Sequence, residues 1–453
     1  MELARCFAGF IVKKSFRDLP KEVVNQTKRC ILDFVGVAMA GYSTRLCRVL
    51  TEYVYDMGGS EEASIFGKRL RVPSSNAALV NACMGHAVEL DDGHRHGNVH
   101  PGVVVIPAAM AAAESVEADG RSLITSIALG YDLLIRVASA INPAHLERGF
   151  HTTGTCGVFG SATAAGKILE LDEKGMASAL GIAGIQGAGL LEVVRSGQTV
   201  KPLQAARAAQ NGVFAASLAR EGILGPVTIF EGKSGFCQAM TEKCDYDKML
   251  ERLGETYEIV NAYVKFHASC RHTHSAIDAA LAIRERFSIR ASTIKAIHVK
   301  TYSISLNLTG GEYKPSTSSA AKFSLPYCVA VAFARGKAGI EEFSEDVLKD
   351  ARISELARKV VLEVDPELDS LYPNKRGSIV EVTTKNGACY RYRMDLPRGE
   401  PELAATDDQV EDKFRECTSR IWDHEIQEEI IKTIGKLEEL DNVLDLTSLL
   451  VIR

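Results

Sequence analysis

The first two-thirds of the chain consist of apolar stretches of helical length separated by short polar loops. Within residues 20–42, Val24, Ile31 and Val35 recur near helical spacing and Gly41 follows them, a pattern typical of a helix that ends at the glycine. Further helices are predicted over residues 74–90, 103–120, 122–142, 157–171 and 173–194. These segments are rich in glycine and alanine, whose small side chains let helix axes approach closely. We expect them to form a tightly packed helical centre.

The pattern changes after about residue 260. Residues 293–310 carry β-branched residues in alternation and are predicted to form a strand. Residues 377–394 are predicted to form two strands joined by Asn386-Gly387, the strongest short hairpin signal. Between these strands, residues 321–337 and 344–364 are predicted to be helical.

The charged tail returns to a helical pattern. Five isoleucines form an apolar stripe that should pack back onto the helical part: Ile421, Ile426, Ile430, Ile431 and Ile434. The sequence therefore predicts a mainly α fold. Its large all-helical domain would be formed by residues 1–267 and 396–453, and residues 268–395 would form a smaller α+β domain.

Composition narrows the function classes. The chain has 453 residues, of which 46% are hydrophobic and 25% charged, and a net charge of -5. This is a soluble globular profile without the basic excess that nucleic-acid binding needs. The 11 cysteines include no C-x-x-C pair, which favours reduced thiols over disulfides, structural zinc or an iron–sulfur cluster. With no signal-like run and no uninterrupted apolar stretch of membrane length, we expect a cytoplasmic protein that does not bind membranes.

One stretch concentrates polar chemistry. Residues 85–102, GHAVELDDGHRHGNVHPG, hold four of the 11 histidines together with Asp91 and Asp92. Three interpretations remain open for it: a metal site, a site for proton transfer and carboxylate binding, or a polar loop without chemistry. A metal site would use His94, His96 and nearby carboxylates, but the neighbouring arginine and lysines disfavour a cation there.

Three more polar segments repeat the same arrangement, and three of the four segments lead into helices of small residues. His100 precedes one predicted helix, Arg148 and His151 precede a second, and Lys201 precedes a third. The last segment, VKFHASCRHTHSAID, carries Lys265, His267, Cys270, Arg271, His272 and His274. Helix N-termini attract anions through their free N–H groups and dipole. Converging entrances with lysine and arginine would suit a small polycarboxylate, and the histidines would transfer protons.

Taken in order, four motifs resemble the MmgE/PrpD family over nearly the whole chain. They are GHAVELDDGHRHGNVHPGVVVIPAA, RGFHTTGTCGVFGSATAAGK, VKPLQAARAAQNG and CRHTHSAIDAAL. The family includes 2-methylcitrate dehydratase, cis-aconitate decarboxylase and iminodisuccinate epimerase. The resemblance implies a helical domain formed by both chain ends, an α+β lid, a homodimer, and an active site between the domains without metal or other cofactor.

Residue roles follow from the resemblance. It implies catalytic roles for His100, His151, Lys201, Lys265 and Tyr327. It also implies that the acidic loop at Asp91 and Asp92 belongs to the site. Among the polar segments, we expect substrate-binding roles for Asp91, Asp92, His94, Arg148, Gln204, Cys270, Arg271 and His274. Gly93, Gln204 and Cys270 depart from residues common in the family, which leaves the substrate open.

The expected function is a cofactor-independent lyase acting on a small di- or tricarboxylate. His100 or His151 would move a proton at the carbon next to a carboxylate, while Lys201 and Lys265 hold the developing negative charge. Loss of water would make the enzyme a dehydratase and loss of carbon dioxide a decarboxylase. The alternatives are an epimerase of the same family, a metal-dependent hydrolase using His94, His96 and Asp91, and a non-catalytic carboxylate-binding protein.

Overall fold

Helices dominate the computed structural model, which describes residues 2–452. It is 59% helical with small sheets, which confirms the mainly α prediction. The helices up to residue 250 are α1 (Leu3–Lys13), α2 (Lys21–Gly41), α3 (Arg45–Met57), α4 (Ser74–His86), α5 (Gly102–Ser115), α6 (Gly120–Ile141), α7 (Ala144–Glu147), α8 (Thr152–Ile168), α9 (Glu173–Gly184), α10 (Glu192–Arg195), α11 (Pro202–Arg220), α12 (Phe236–Met240) and α13 (Tyr246–Leu250).

Small residues bring the central helices together as the sequence predicted. A Cβ atom added at Gly160 in α8 would lie 2.8 Å from the Leu134 side chain of α6. A Cβ atom at Gly212 in α11 would lie 2.0 Å from the Ser161 hydroxyl of α8. One predicted helix is shorter than expected: α9 ends at Gly184, and the glycine-rich segment after it leaves the helix. There Gly189 has φ +159°, which a residue with a side chain rarely adopts.

Helix α6 is buried in the centre of this region. By length and composition it is the one helix within residues 2–452 that could cross a membrane, but 94% of its apolar window is buried inside the fold. Its first turn is capped by Asp119, whose carboxylate accepts from the amide of Ser122 at 2.7 Å. Burial of this kind is what a core helix shows.

The remaining helices and the strands complete the chain. The helices are α14 (His274–Arg286), α15 (Ser303–Thr309), α16 (Ser318–Lys322), α17 (Leu325–Arg335), α18 (Glu345–Leu348), α19 (Ala351–Ala357), α20 (Pro366–Ser370), α21 (Asp407–Thr418), α22 (His424–Gly435) and α23 (Leu444–Thr447). The strands are β1 (Ala63–Ser64), β2 (Arg71–Val72), β3 (Gly93–His94), β4 (Ala262–Tyr263), β5 (Ile294–Thr301), β6 (Val360–Val364), β7 (Ser378–Thr384) and β8 (Cys389–Met394).

A four-stranded sheet organises the second part of the chain. Its strand order is β6-β5-β7-β8, with β5 and β6 parallel and the other neighbours antiparallel. The predicted hairpin at Asn386-Gly387 is confirmed by the pairing of β7 with β8, and Gly387 has φ +89°. Two predictions were wrong in part. Residues 303–309 form α15 rather than strand, and residues 360–364 form β6 rather than helix.

The tail packs back onto the helical part, as predicted. Ile430 and Ile434 of α22 belong to the same apolar core as residues of α1 to α6, α8, α9 and α11. A buried ion pair joins Lys413 of α21 to Asp33 of α2, with 2.5 Å between Nζ and Oδ1. A second apolar core lies between the sheet and the helices α14, α17 and α19. The domain limits of 267/268 and 395/396 stay a prediction.

Candidate active site

Three predicted site residues lie at the beginning of helices, as the sequence indicated. His100 stands two residues before α5, His151 immediately precedes α8, and Lys201 immediately precedes α11. Each helix opens with a small or proline residue, so its first turn can come close to neighbouring groups. His151 and Lys201 are buried, with 6% exposure each. The positive ends of three helices therefore meet these side chains.

His100 is held in one ring orientation. Its Nδ1 lies 2.6 Å from the carbonyl oxygen of Asp92 and 3.2 Å from Oδ2 of Asp91. Both partners are acceptors, so Nδ1 carries the proton and Nε2 keeps its lone pair. Burial lowers the pKa of His100 to about 3 despite the nearby Asp91 carboxylate. His100 is therefore neutral at physiological pH, and its Nε2 can accept a proton.

His86 joins the two predicted catalytic histidines. It ends α4 and is fully buried, and its Nδ1 donates to Oδ2 of Asp91 at 2.8 Å. Its ring centroid lies 5.2 Å from that of His100 and 5.8 Å from that of His151. No role for His86 was predicted from the sequence, although it lies in the same stretch as Asp91. It aligns the Asp91 carboxylate and completes a row of three imidazoles.

The two adjacent aspartates differ in charge. Burial opposes ionisation of Asp91, but His86, which also donates a hydrogen bond to it, and Lys265 hold its pKa well below the usual value. Burial raises the pKa of Asp92 to about 7, against the hydrogen bond that Tyr131 donates to it at 2.7 Å. Asp91 is therefore an anion that faces the histidines, and Asp92 is near the midpoint of its titration at neutral pH.

Two predicted lysines meet at a buried glutamate. Lys201 forms an ion pair with Oε1 of Glu89, and Nζ of Lys265 lies 3.7 Å from Oε2 of Glu89 and 3.7 Å from Oδ1 of Asp91. Burial opposes ionisation of Glu89, but Lys201 and Lys265 lower its pKa. Glu89 has φ +58°, uncommon for a residue with a side chain. Glu89 was not predicted from the sequence, because a single glutamate in a loop carries no pattern.

A third buried lysine lies beside this pair. Lys322 ends α16 with 6% exposure, and its carbonyl oxygen accepts from the amide of Cys270 at 2.9 Å. Burial lowers the pKa of Lys322 to about 8, and the charges of Glu89, Lys265 and Lys201 also act on it. Lys322 was not predicted either, although it stands five residues before Tyr327. We call the following residues the central cluster: His86, Glu89, Asp91, His100, His151, Lys201, Lys265 and Lys322.

The central cluster contains polar atoms that lack partners. Nε2 of His86, Oδ1 of Asp91 and Nδ1 of His151 are buried and make no hydrogen bond within residues 2–452. Buried polar atoms are nearly always hydrogen-bonded, so such a concentration calls for a bound water or ligand. The open grooves of the surface, about 790 and 820 Å³, lie elsewhere in the sheet region. Most of the central cluster is buried, and His100, with a side chain 16% exposed, is its most accessible histidine.

Three predicted site residues are not brought to the central cluster. His94 contacts the amide of Gly97 at 3.1 Å and Glu258 at 3.5 Å. Arg148 is exposed and lies over the ring of Phe150. Tyr327 is buried in the second apolar core, where its hydroxyl donates to the carbonyl oxygen of Glu342 at 2.8 Å. None of these three side chains contacts a histidine or lysine of the central cluster.

Four other predicted residues lie next to the cluster. The Gln204 amide donates to the carbonyl oxygen of Leu190 at 2.9 Å, and its Oε1 is buried without a partner. Cys270 is buried, which raises the pKa of its thiol. Arg271 binds Oε1 of Glu400 through Nε and Nη2 at 3.2 and 3.0 Å, and its Nη1 contacts His274 at 3.2 Å. Arg271 thus joins His274 to Glu400.

The metal interpretation of the histidine-rich stretch finds no support in this geometry. Asp91 faces His86 and His100, whereas His94 faces Glu258 and His96 is exposed. Within residues 2–452, no three His, Cys, Asp or Glu side chains are arranged to hold a metal ion. The proposed ligand set of His94, His96 and Asp91 is therefore split between two places.

Comparison with known proteins agrees with the arrangement of motifs. Residues 5–249 match the MmgE/PrpD N-terminal domain and residues 267–439 match the MmgE/PrpD C-terminal domain. The chain is 26% identical to the cis-aconitate decarboxylase-like protein oryM of Aspergillus oryzae, covering 96% of this chain and 94% of that protein. It is 26% identical to human and 27% identical to mouse cis-aconitate decarboxylase, covering 99% and 98% of this chain and 94% and 92% of theirs. The chain therefore belongs to the MmgE/PrpD family.

Proposed function

We propose that this protein is a lyase that acts on a small di- or tricarboxylate by proton transfer at the carbon next to a carboxylate. The observation that carries the proposal is the position of His100. Its Nδ1 is tied to Asp92 and Asp91, which leaves Nε2 as a base beside three buried lysines. A base and cations in one water-poor place are what removal of a carbon-bound proton requires.

The lysines supply the anion-binding part. Lys201, Lys265 and Lys322 face two ionised carboxylates, Glu89 and Asp91, so the cluster keeps one excess positive charge. A substrate carboxylate can take this charge and approach the N-termini of α8 and α11. When the neighbouring carbon loses its proton, negative charge spreads onto that carboxylate, and the same cations stabilise it.

The chemistry then depends on the leaving group. His100 takes the proton from carbon through Nε2, and the electron pair forms a carbon–carbon double bond as a β-hydroxyl departs. Burial and the charge of Lys201 hold the pKa of His151 well below the usual value, so His151 is neutral and can hydrogen-bond that hydroxyl through Nδ1. Lys322, whose pKa is about 8, supplies the proton with which the hydroxyl leaves as water. In decarboxylation, the carbon–carboxylate bond breaks instead and carbon dioxide leaves. A proton from Lys322, whose pKa is about 8, then passes through Nε2 of His100 to the carbon.

cis-Aconitate is the first substrate to test, because the named relatives are cis-aconitate decarboxylases. The experiment is proton NMR in deuterated water with chelator-treated protein, using cis-aconitate, citrate, 2-methylcitrate and iminodisuccinate. Loss of water or carbon dioxide from one of them supports the proposal. Epimerisation with deuterium uptake and no loss of mass would identify the isomerase alternative. Turnover that returns only with added zinc would contradict proton transfer by histidines alone.

We also propose a cytoplasmic homodimer. Several large apolar side chains are exposed on and around α9 to α11, namely Ile185, Leu190, Val200, Phe214, Ile223 and Leu224, between 40% and 69% exposed. Large apolar side chains that stay exposed on one part of a fold are what a subunit interface covers. Sedimentation velocity should give a mass near twice 49.1 kDa, and Phe214→Glu should shift it toward the monomer.

A further inference from the structure

A second set of polar residues adjoins the central cluster on the side of the sheet region. Arg376 is its centre, with 2% exposure. We call this set the arginine–tyrosine cluster: Tyr263, Arg271, His272, Tyr302, Tyr372 and Arg376. The rings of Tyr302 and Tyr372 stack with centroids 5.2 Å apart, and Nδ1 of His272 contacts the Tyr302 hydroxyl at 2.6 Å.

Arg376 is buried without an anionic partner. Its Nη2 donates to the carbonyl oxygen of Arg95 at 2.5 Å and to Oδ1 of Asn98 at 2.6 Å, while Nε has no partner. Within residues 2–452, no carboxylate lies within ion-pair distance of it. The nearby Glu400 is already bound by Arg95 and Arg271. Arginine cannot shed its proton in a protein, so this buried charge is left uncompensated.

Arg376 is linked to the central cluster through two neighbours. Asn98, which accepts from Arg376, stands two residues before His100 in the same loop. Burial and the charges of Arg376 and Arg271 hold the pKa of His272 well below the usual value. His272 stands two residues after Cys270, whose amide donates to the carbonyl oxygen of Lys322 at 2.9 Å. A ligand lying beside His272 would extend from Lys322 towards the guanidinium.

We propose that Arg376 binds a second carboxylate of the substrate and thereby selects polycarboxylates over monocarboxylates. This deepens the proposed function and rests on it. The lysines of the central cluster have one positive charge in excess, enough for one carboxylate. The guanidinium supplies the other charge, and its planar fork with a free Nε suits a carboxylate. Arg376 is a specificity residue, and the chemistry stays at His100.

The test compares two five-carbon ligands, glutarate and pentanoate, which differ by one carboxylate. Their dissociation constants are measured by NMR titration of the wild-type protein and of Arg376→Gln. Wild type should bind glutarate at least tenfold more tightly than pentanoate. Arg376→Gln should raise the dissociation constant of glutarate by about 10- to 100-fold and change that of pentanoate by no more than about twofold. The reason is that a hydrogen-bonded charge pair is lost only with glutarate.

Asn98→Gly is the matched control, because it removes the contact between Arg376 and the loop but leaves the guanidinium. Glycine suits the φ of +46° at this position. This variant should keep the preference for glutarate. If Asn98→Gly and Arg376→Gln lose the preference equally, Arg376 only fastens the loop and the inference is wrong. Equal weakening of both ligands by Arg376→Gln also overturns it.

Two further results separate this inference from the proposed function. Arg376→Lys keeps the positive charge but not the planar fork, so it should retain part of the preference for glutarate over pentanoate. The same variant serves as the test if Arg376→Gln does not fold. An unchanged glutarate constant in Arg376→Lys and Arg376→Gln overturns the inference alone, while wild-type turnover still supports the lyase. If wild type binds neither ligand and turns over no polycarboxylate, both proposals are wrong.

Discussion

Nδ1 of His100 lies 2.6 Å from the carbonyl oxygen of Asp92, and this contact determines which ring nitrogen is free. The carbonyl oxygen can only accept, so the proton stays on Nδ1. Asp91, 3.2 Å away, strengthens the same orientation. A backbone oxygen does not titrate, and the ring therefore keeps this tautomer over the whole range in which the histidine is neutral. This contact is the basis for treating Nε2 as the proton acceptor.

Substitutions of Lys201 and Glu89 should have strongly coupled effects on the free energy of unfolding, because the two side chains form an ion pair. Glu89→Gln leaves Lys201 and Lys265 buried without their shared anion, which should cost about 3 kcal/mol in the free energy of unfolding. Lys201→Met should cost a similar amount. The double variant should lose about 1–3 kcal/mol less than the sum. Urea unfolding of the four proteins measures this, and strict additivity would show that the two side chains do not pair in solution.

The pH dependence of stability should reveal the raised pKa of Asp92. Its pKa of about 7 in the folded protein lies above the usual value of 3.8, so the folded state binds more protons than the unfolded chain between these two values. The contribution of Asp92 to stability is therefore lost as the pH rises from about 4 to 7. The free energy of unfolding should fall by about 1.4 kcal/mol for each pH step of one across this interval.

Asp92→Asn removes this dependence. Wild type should thus be more stable, relative to Asp92→Asn, at pH 5 than at pH 8, as measured by melting temperatures at both. The exposed Asp56→Asn is the matched charge control. A constant difference between wild type and Asp92→Asn across this range would contradict a raised pKa at Asp92.

Lys322 should set the alkaline limb of activity. Burial lowers its pKa to about 8, and only the protonated form can hold a carboxylate. We therefore expect kcat/KM to fall as the pH rises through about 8. In Lys322→Arg the limb should move above pH 10, because the guanidinium stays charged. The exposed Lys349→Met is the control and should keep the wild-type profile. A limb that stays at pH 8 in Lys322→Arg would assign it to another group.

The cost of placing a side chain at Gly93 should depend on the ring of Tyr263. A Cβ atom at Gly93 would lie 2.3 Å from the Tyr263 hydroxyl and 2.4 Å from the ring carbon that bears it. A rigid ring cannot yield, so Gly93→Ala should destabilise the fold by about 1–3 kcal/mol. Combining it with Tyr263→Val should remove most of that penalty. If Gly93→Ala is neutral by itself, the ring must move freely.

Local patterns were enough to predict much of the fold and part of the site. Helix entrances at His100, His151 and Lys201 follow from a polar loop before an apolar segment, which is short-range information. The hairpin at Asn386-Gly387 is equally local. These features came out as predicted because each depends on only a few adjacent residues.

The features that could not be predicted from the sequence depend on contacts between residues far apart in the chain. Residues 360–364 pair in parallel with β5, about sixty residues earlier, and that pairing outweighs their continuation from a helix. Likewise α15 begins where Asp369 accepts from the amide of Ser303 at 2.7 Å. Glu89 and Lys322 enter the site only because folding brings residues 89, 201, 265 and 322 together. None of these partners can be inferred from spacing along the chain.

The central claim is that Nε2 of His100 moves the carbon-bound proton. The most direct test is proton NMR in deuterated water with the polycarboxylate that the wild type converts, comparing wild type with His100→Gln and with the exposed control His96→Gln. Wild type and His96→Gln should place deuterium on the carbon next to a carboxylate, or exchange it there. His100→Gln should slow this by about a hundredfold or more while its melting temperature stays close to that of wild type. Deuterium transfer at the wild-type rate in folded His100→Gln would contradict the account.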